Sequence, residues 1–207
     1  LGFYGLSYSV YPHLAASPEQ RTLSLPHDDA ASGAMSPRSS RVWIDPPDAV
    51  MRTGNELLLA GFARADGYAG LEPRRRLDYR AQAALRVAGV AWVRSADRRF
   101  WQRAADPLPK ARLVASAVVS GDPAADLERV PIETAALVEE PLALSGGPAG
   151  TAELVDDRPG RLRVAVKCPG RQLLLVAESF QPGWRARVDG AERSGLRVNG
   201  GFLGCVI

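Results

Sequence analysis

The spacing of apolar and polar residues changes along the chain and divides it into three parts. Residues 1–40 show no periodicity, because prolines and a run of small polar residues interrupt every pattern, and they are read as an irregular arm or linker from a membrane segment. Residues 41–147 alternate short strand and helix patterns. After the Gly146-Gly147-Pro148 break, residues 148–207 carry strand patterns alone. The prediction is an α+β fold: a mixed strand and short-helix part, then an antiparallel β-sandwich, truncated at its C-terminal end.

The middle part is predicted to contain two helices. Residues 78–88 combine good helix formers with spaced apolar positions, and Gly89 supplies a stop. A short helix begins at the cap Asp122, with Pro123 in its first turn. Strands are predicted at residues 41–44, 90–93, 113–119 and 134–138, with a short apolar element at 55–62.

The last part is predicted to contain six strands, at residues 151–155, 162–167, 172–178, 184–188, 196–199 and 202–207. Leu162, Val164 and Val166 point one way, and basic residues stand between or beside them, so that strand has one apolar face and one solvent-exposed face. Residues 172–177 are almost continuously apolar, as in a central strand covered on both sides. Pro182-Gly183 predicts a turn and Asp189-Gly190 a type I′ hairpin.

Composition excludes some classes of protein. Of 207 residues, 46% are hydrophobic, enough for a real core, and the net charge of +3 is scattered over the chain, which argues against nucleic acid as a partner. Arginines cluster at residues 74–76 and 94–103. They form either a solvated surface or a patch that faces anionic lipid head groups.

The chain is expected to be soluble. It contains no stretch of about 18 apolar residues, and residues 1–10 lack the basic start of a signal peptide. Cys168 and Cys205 cannot form a disulfide framework and have no metal-ligand spacing to His13 or His27. Two buried thiols are expected, with a single bridge as the alternative, and neither a metal nor a cofactor is predicted.

Residues 173–190 read LLLVAESFQPGWRARVDG, and residues 197–202 read RVNGGF. This succession of apolar strand, aromatic residue, Pro-Gly-Trp, short strand, Asp-Gly and Asn-Gly-Gly-Phe resembles the C-terminal signature of bacterial YfhO-like membrane proteins. Residues 65–74, 87–93 and 109–114 also resemble that family, with Lys110 where arginine is usual. The resemblance covers roughly residues 41–207, and residues 1–40 match poorly.

The resemblance implies a parent with about a dozen transmembrane helices of GT-C glycosyltransferase type, which transfers a polyprenyl-phosphate-linked sugar to a cell-surface polymer with inversion. Its catalytic acid would lie in an early loop, outside this sequence. The chain would then be a non-catalytic accessory domain on the extracytoplasmic side of the cell membrane. Its partners would be the transmembrane part of the same polypeptide and a lipid-linked sugar or glycopolymer. Because family members continue past the last strand, we expect an excised domain.

Two alternatives stay open: a free-standing carbohydrate-binding β-sandwich, and a structural domain that docks on the membrane part. The candidate ligand or docking loop is Asp66-Gly67-Tyr68, which is also explained as a well-packed turn. The candidate sugar contacts are Trp184, Asp189 and Asn199, although the first two are more simply explained as determinants of the fold. No catalytic residue is predicted, since the acidic pairs 28–29, 139–140 and 156–157 lack the geometry of a glycosidase.

Overall fold

The computed structural model describes residues 41–43, 63–65, 77–94, 101–158 and 160–207. In these residues the chain is mostly strand. The helices are α1 (Gln82–Val87) and α2 (Pro123–Asp126), and a 3₁₀ turn (Leu127–Arg129) follows α2. The strands are β1 (Arg41–Trp43), β2 (Ala63–Arg64), β3 (Val90–Arg94), β4 (Trp101–Arg103), β5 (Ala111–Val114), β6 (Ser116–Val119), β7 (Ala135–Val138), β8 (Thr151–Arg158), β9 (Arg161–Lys167), β10 (Leu173–Ser179), β11 (Ala186–Val188), β12 (Ala191–Arg193), β13 (Leu196–Val198) and β14 (Phe202–Val206).

The main sheet has six strands in the order β5-β10-β14-β13-β7-β6. Its neighbours are antiparallel, except that β6 and β7 run parallel. The two edge strands, β5 and β6, are consecutive in the chain and separated only by Ala115, which is buried. The sheet therefore curls until its opposite edges meet at Ala115.

The hydrophobic core lies on the inner face of this curl. Leu173, Leu175 and Ala177 of β10 point into it, because alternate residues of a strand share a face. Strands β7, β13 and β14 and helix α1 complete the core with the buried residues Leu137, Val198, Phe202, Ala84 and Val87. Burial of this apolar surface is the main force that holds the sheet in its curled form.

Three smaller sheets accompany the main one. Strands β2-β1-β3-β4 form a four-stranded sheet with parallel β2–β1 and β1–β3 pairs. Strands β8 and β9 form a hairpin with a register shift between Leu154 and Asp156. Strands β11 and β12 form a second hairpin, in which Val188 pairs with Ala191 across a two-residue turn.

Several local predictions are confirmed. Helix α1 ends at Gly89, which has a φ of +65°. Asp122 caps α2 by accepting a hydrogen bond from the amide of Ala125, and Pro123 follows it. Asp189 and Gly190 both have positive φ, 49° and 84°, as a type I′ turn requires.

The β-rich fold is confirmed, and the separate sandwich over residues 148–207 is not. Strand β10 pairs with β5, and β13 pairs with β7, so β10, β13 and β14 share one curled sheet with strands that precede residue 147, while the other strands after that residue form two separate hairpins. Local patterns indicate strands but do not choose their partners, which is why the sequence missed this pairing. The division of the chain at 40/41 and 147/148 stays a prediction.

Candidate functional site

A half-open cavity of about 150 Å³ lies between the outer face of the main sheet and the two hairpins. The part of the wall contributed by the sheet comes from β10 and from β14 with the residue that follows it, and the rest comes from β9, from β11 and from the two residues that precede β11. Its lining residues are Leu162, Val164, Leu174, Val176, Trp184, Arg185, Ala186, Arg187, Val188, Leu203, Gly204, Cys205 and Ile207. This volume is similar to that of an engineered apolar cavity that binds one benzene molecule.

The floor of the cavity follows from strand alternation. In β10 the odd-numbered residues enter the core, so Leu174 and Val176 face outward into the cavity. Leu174 is registered with Cys205 of β14, and Val176 with Leu203. The nearly continuous apolar run over residues 172–177 thus serves two faces, one in the core and one in the cavity, as the sequence predicted for a covered central strand.

Trp184 occupies the edge of the cavity. A turn closed by the hydrogen bond from the Trp184 amide to the Gln181 carbonyl, 3.0 Å, places it there, with Pro182 and Gly183 inside the turn. The indole N–H donates to the carbonyl of Ser179 at 3.1 Å. Trp184 is half-buried, and it contributes the one aromatic side chain to a wall that also contains aliphatic residues, Arg185, Arg187 and Cys205.

The β11–β12 hairpin covers one side. Ala186 and Val188 are half-buried, whereas Arg185 and Arg187 are exposed, so the hairpin turns its apolar face toward the sheet. Across the hairpin, on its solvent-exposed face, the Arg187 guanidinium lies 3.6 Å from the Glu192 carboxylate. The basic residues of this segment therefore contribute to the outer rim of the site rather than to its floor.

The β8–β9 hairpin covers the other side, and it alternates as predicted. Leu162, Val164 and Val166 are half-buried, and the basic residues between them are exposed. An ion cluster joins this hairpin to the main sheet: Lys110 Nζ lies 2.8 and 3.0 Å from the two carboxylate oxygens of Asp157 and 3.2 Å from Glu178.

Cys205 is the one thiol at the cavity among the described residues. It is buried, and this burial raises the pKa of its thiol, an effect that the nearby Arg193 partly opposes. Cys168 is exposed, which corrects the prediction of two buried thiols, and the two cysteines are not bridged.

The sequence-predicted sugar contacts are not brought together at the cavity. Trp184 lines it, and Asp189 lies exposed in the turn of the adjacent hairpin. Asn199 is 2% exposed, and its side-chain oxygen accepts a hydrogen bond of 2.8 Å from the Leu137 amide. Asn199 thus connects β13 to β7. The loop Asp66-Gly67-Tyr68 lies outside the described residues.

Three residues of the acidic pairs are engaged in ion pairs. Asp156 accepts two hydrogen bonds of 2.8 Å from Arg158, which lower the pKa of this carboxyl group. Asp157 binds Lys110 instead, and Glu139 lies 3.9 Å from Arg197. The described residues contain no group of three or more side chains that could hold a metal ion. None of the helices in the same residues has the length and hydropathy needed to cross a bilayer.

Sequence reasoning missed most of the cavity. Leu174, Val176 and Leu203 were expected only as strand residues, and Cys205 only as a buried thiol. The nearly continuous apolar run of β10 signals that both faces are covered, but not that the outer face borders a cavity. The buried Gln172, whose carboxamide accepts from Gly150 N–H and donates to the Pro148 carbonyl, each at 2.8 Å, also gave no sequence signal.

Comparison of the chain with protein-family models, with curated proteins and with solved structures finds no match to any of them.

Proposed function

We propose that this chain is a non-catalytic accessory domain of a membrane-embedded protein of GT-C glycosyltransferase type, placed on the extracytoplasmic side of the cell membrane. In this proposal the transmembrane part of the same polypeptide performs the chemistry. The domain contributes the Trp184 cavity as a contact for the sugar of a lipid-linked donor or of the acceptor polymer. The two hairpins serve as a second layer, laid on the main sheet as in a sandwich.

One observation carries the proposal. Seven of the thirteen residues that line the cavity lie within residues 173–190, the segment that resembles the YfhO-like signature. The Pro-Gly turn of this segment positions Trp184, and its Asp-Gly turn closes the adjacent hairpin. The residues that carry the resemblance therefore also build the cavity, which supports a role for that cavity in the parent protein.

The cavity also has a chemistry that suits part of a sugar ligand. An indole ring whose N–H is already bonded to Ser179 keeps its face for an apolar contact, and aromatic faces pack against the C–H surface of a pyranose. The exposed arginines beside it supply charge for a phosphate at the rim.

The binding test uses the chain labelled with 5-fluorotryptophan, whose four tryptophans give four fluorine resonances. Glucose or N-acetylglucosamine on a water-soluble ten-carbon isoprenyl phosphate is titrated in, with the free sugars and the free isoprenyl phosphate as comparisons. We expect a saturable shift of the Trp184 resonance alone, assigned with Trp184→Phe, and loss of binding in Trp184→Ala. The buried Trp92→Phe is the matched control and should bind normally.

The gene provides the test of the parent. The reading frame that contains this sequence should encode about a dozen apolar helices before residue 1, with an acidic residue in the first extracytoplasmic loop. A frame that encodes a secreted protein without such helices would reject the membrane proposal. Glycan binding that persists in that case would instead support the free-standing carbohydrate-binding module.

A further inference from the structure

We propose that the β8–β9 hairpin is a lid over one side of the half-open Trp184 cavity and that Lys110 is the latch that holds this hairpin against the main sheet. This inference concerns access to the cavity and is independent of which ligand the cavity binds. It starts from the topology: β8 and β9 pair with each other in a two-stranded sheet, outside the hydrogen-bonded ladder of the main sheet. Their apolar face, with Leu162 and Val164, forms a wall of the cavity.

The base of the hairpin is fixed. Gly150, directly before β8, donates its N–H to Gln172, whose side chain also binds the carbonyl of Pro148. Gln172 is completely buried. A Cβ atom added to Gly150 would lie 2.0 Å from the carbonyl oxygen of Lys167, so the two ends of the hairpin pass each other in close contact. Movement of the hairpin must therefore occur beyond this base.

The far end of the hairpin carries the ion cluster, in addition to the packing of β8 beside β5. Asp157 lies seven residues from the base, about 20 Å along an extended strand. There Lys110, directly before β5, binds Asp157 of β8 and Glu178 of β10, so a single ammonium group joins the hairpin to the main sheet. The Lys110 and Asp157 side chains are 27% and 41% exposed, respectively, which makes the latch sensitive to salt.

Cys205 reports opening. Cys205 lines the cavity and is 7% exposed as a residue, and the chain has only one other cysteine, the exposed Cys168. In a Cys168→Ser background, the rate at which a maleimide modifies Cys205 measures the fraction of time that the cavity is open. We expect Lys110→Met to raise this rate about two- to fivefold, as removal of a partly exposed ion pair allows. Added NaCl should raise the rate of the Cys168→Ser protein but not that of the Lys110→Met variant.

Arg158→Met is the matched control. It also removes one positive charge, but Arg158 pairs with Asp156 inside the same hairpin, so the latch stays intact and the labelling rate should not change. Asp157→Asn should reproduce the effect of Lys110→Met, and the double variant should add nothing further. Urea unfolding of each variant separates opening from global unfolding.

Hydrogen exchange gives the second readout. Amides of β8 and β9 should exchange faster in Lys110→Met, while those of β14 should not. An unchanged Cys205 rate in Lys110→Met would overturn the lid, as would an equal increase in Arg158→Met. The lid would also be overturned if amide exchange became faster in β14 and in the hairpin together, by the factor expected from the loss of global stability.

Discussion

Replacement of Asn199 by alanine should destabilise the fold strongly, although asparagine was a candidate sugar contact. Two costs arise from the structure. The amide of Leu137 would lose its acceptor inside the protein, which costs about 1–3 kcal/mol. Alanine would also have to adopt the φ of 45° found at Asn199, and this left-handed conformation costs about 1–2 kcal/mol. We expect a total loss of about 2–5 kcal/mol.

Asp189→Ala is the matched control for this experiment. Asp189 has a similar φ, 49°, but lies exposed in the turn between β11 and β12, so alanine there reports the backbone cost with little burial. Asp189→Ala should lose about 1–2 kcal/mol. The difference between the two variants isolates the buried hydrogen bond to Leu137.

The assay is urea denaturation followed by far-UV circular dichroism. A lower midpoint with an unchanged m-value reports a loss of stability. The melting temperature should fall by about 2–4 °C for each kcal/mol in a chain of this size. Equal losses in Asn199→Ala and Asp189→Ala would refute the reasoning. Full stability of Asn199→Ala combined with loss of ligand binding would return Asn199 to the role of a sugar contact.

The interior of the main sheet supports two further predictions. Gly204→Ala should lower the free energy of unfolding by about 1–3 kcal/mol, because the added Cβ would lie 2.6 Å from Val198 Cγ1. In the double variant, Val198→Ala should relieve part of that loss. If the shifts of the urea midpoint in the two single variants simply add in the double variant, overpacking is not the cause. Arg112→Met should be neutral or stabilising at pH 7, because burial lowers the pKa of Arg112 to about 10 and its Nε has no hydrogen-bond partner among the described residues. A loss above about 2 kcal/mol in Arg112→Met would show instead that the 3.5 Å hydrogen bond from the Arg112 guanidinium to the Ile132 carbonyl outweighs the cost of burying the charge.

The pH dependence of Arg112 has a definite sign. Because burial lowers the pKa of Arg112 to about 10 in the folded protein, the unfolded chain binds this proton more tightly in the window from about pH 10 up to the ordinary pKa of arginine. This group therefore opposes folding at neutral pH, and its penalty declines as the pH rises through that window. Arg112→Met removes the penalty at every pH.

Local chemistry could be predicted from the sequence. Gly89 ends a helix and Asp122 begins one, because the backbone conformations and caps that these residues favour are properties of a few neighbouring positions. The Asp189-Gly190 turn and the two faces of β9 are local in the same sense. Such features depend on residues close in sequence, so alternation and turn chemistry suffice to locate them.

Roles that depend on distant contacts could not be predicted in this way. Asn199 was a ligand candidate because it stands in a recognisable motif, yet its partner, Leu137, lies 62 positions away. Gln172 interrupts an apolar run and has its partners in the turn before β8. The contribution of a buried polar side chain to stability depends on its hydrogen-bond partner, and that partner is known only from the folded structure.

By itself, the sequence determined that this protein is rich in strands, where several of its turns lie and which side of β9 is apolar. Only the tertiary structure decided that β5 and β6 lie at opposite edges of a sheet that curls around Ala115, and that two hairpins leave a cavity beside Trp184. The physical reason is the range of the interactions. Propensity and alternation act over a few residues, whereas strand pairing and the packing of one layer on another join residues far apart, where many partners satisfy the same pattern.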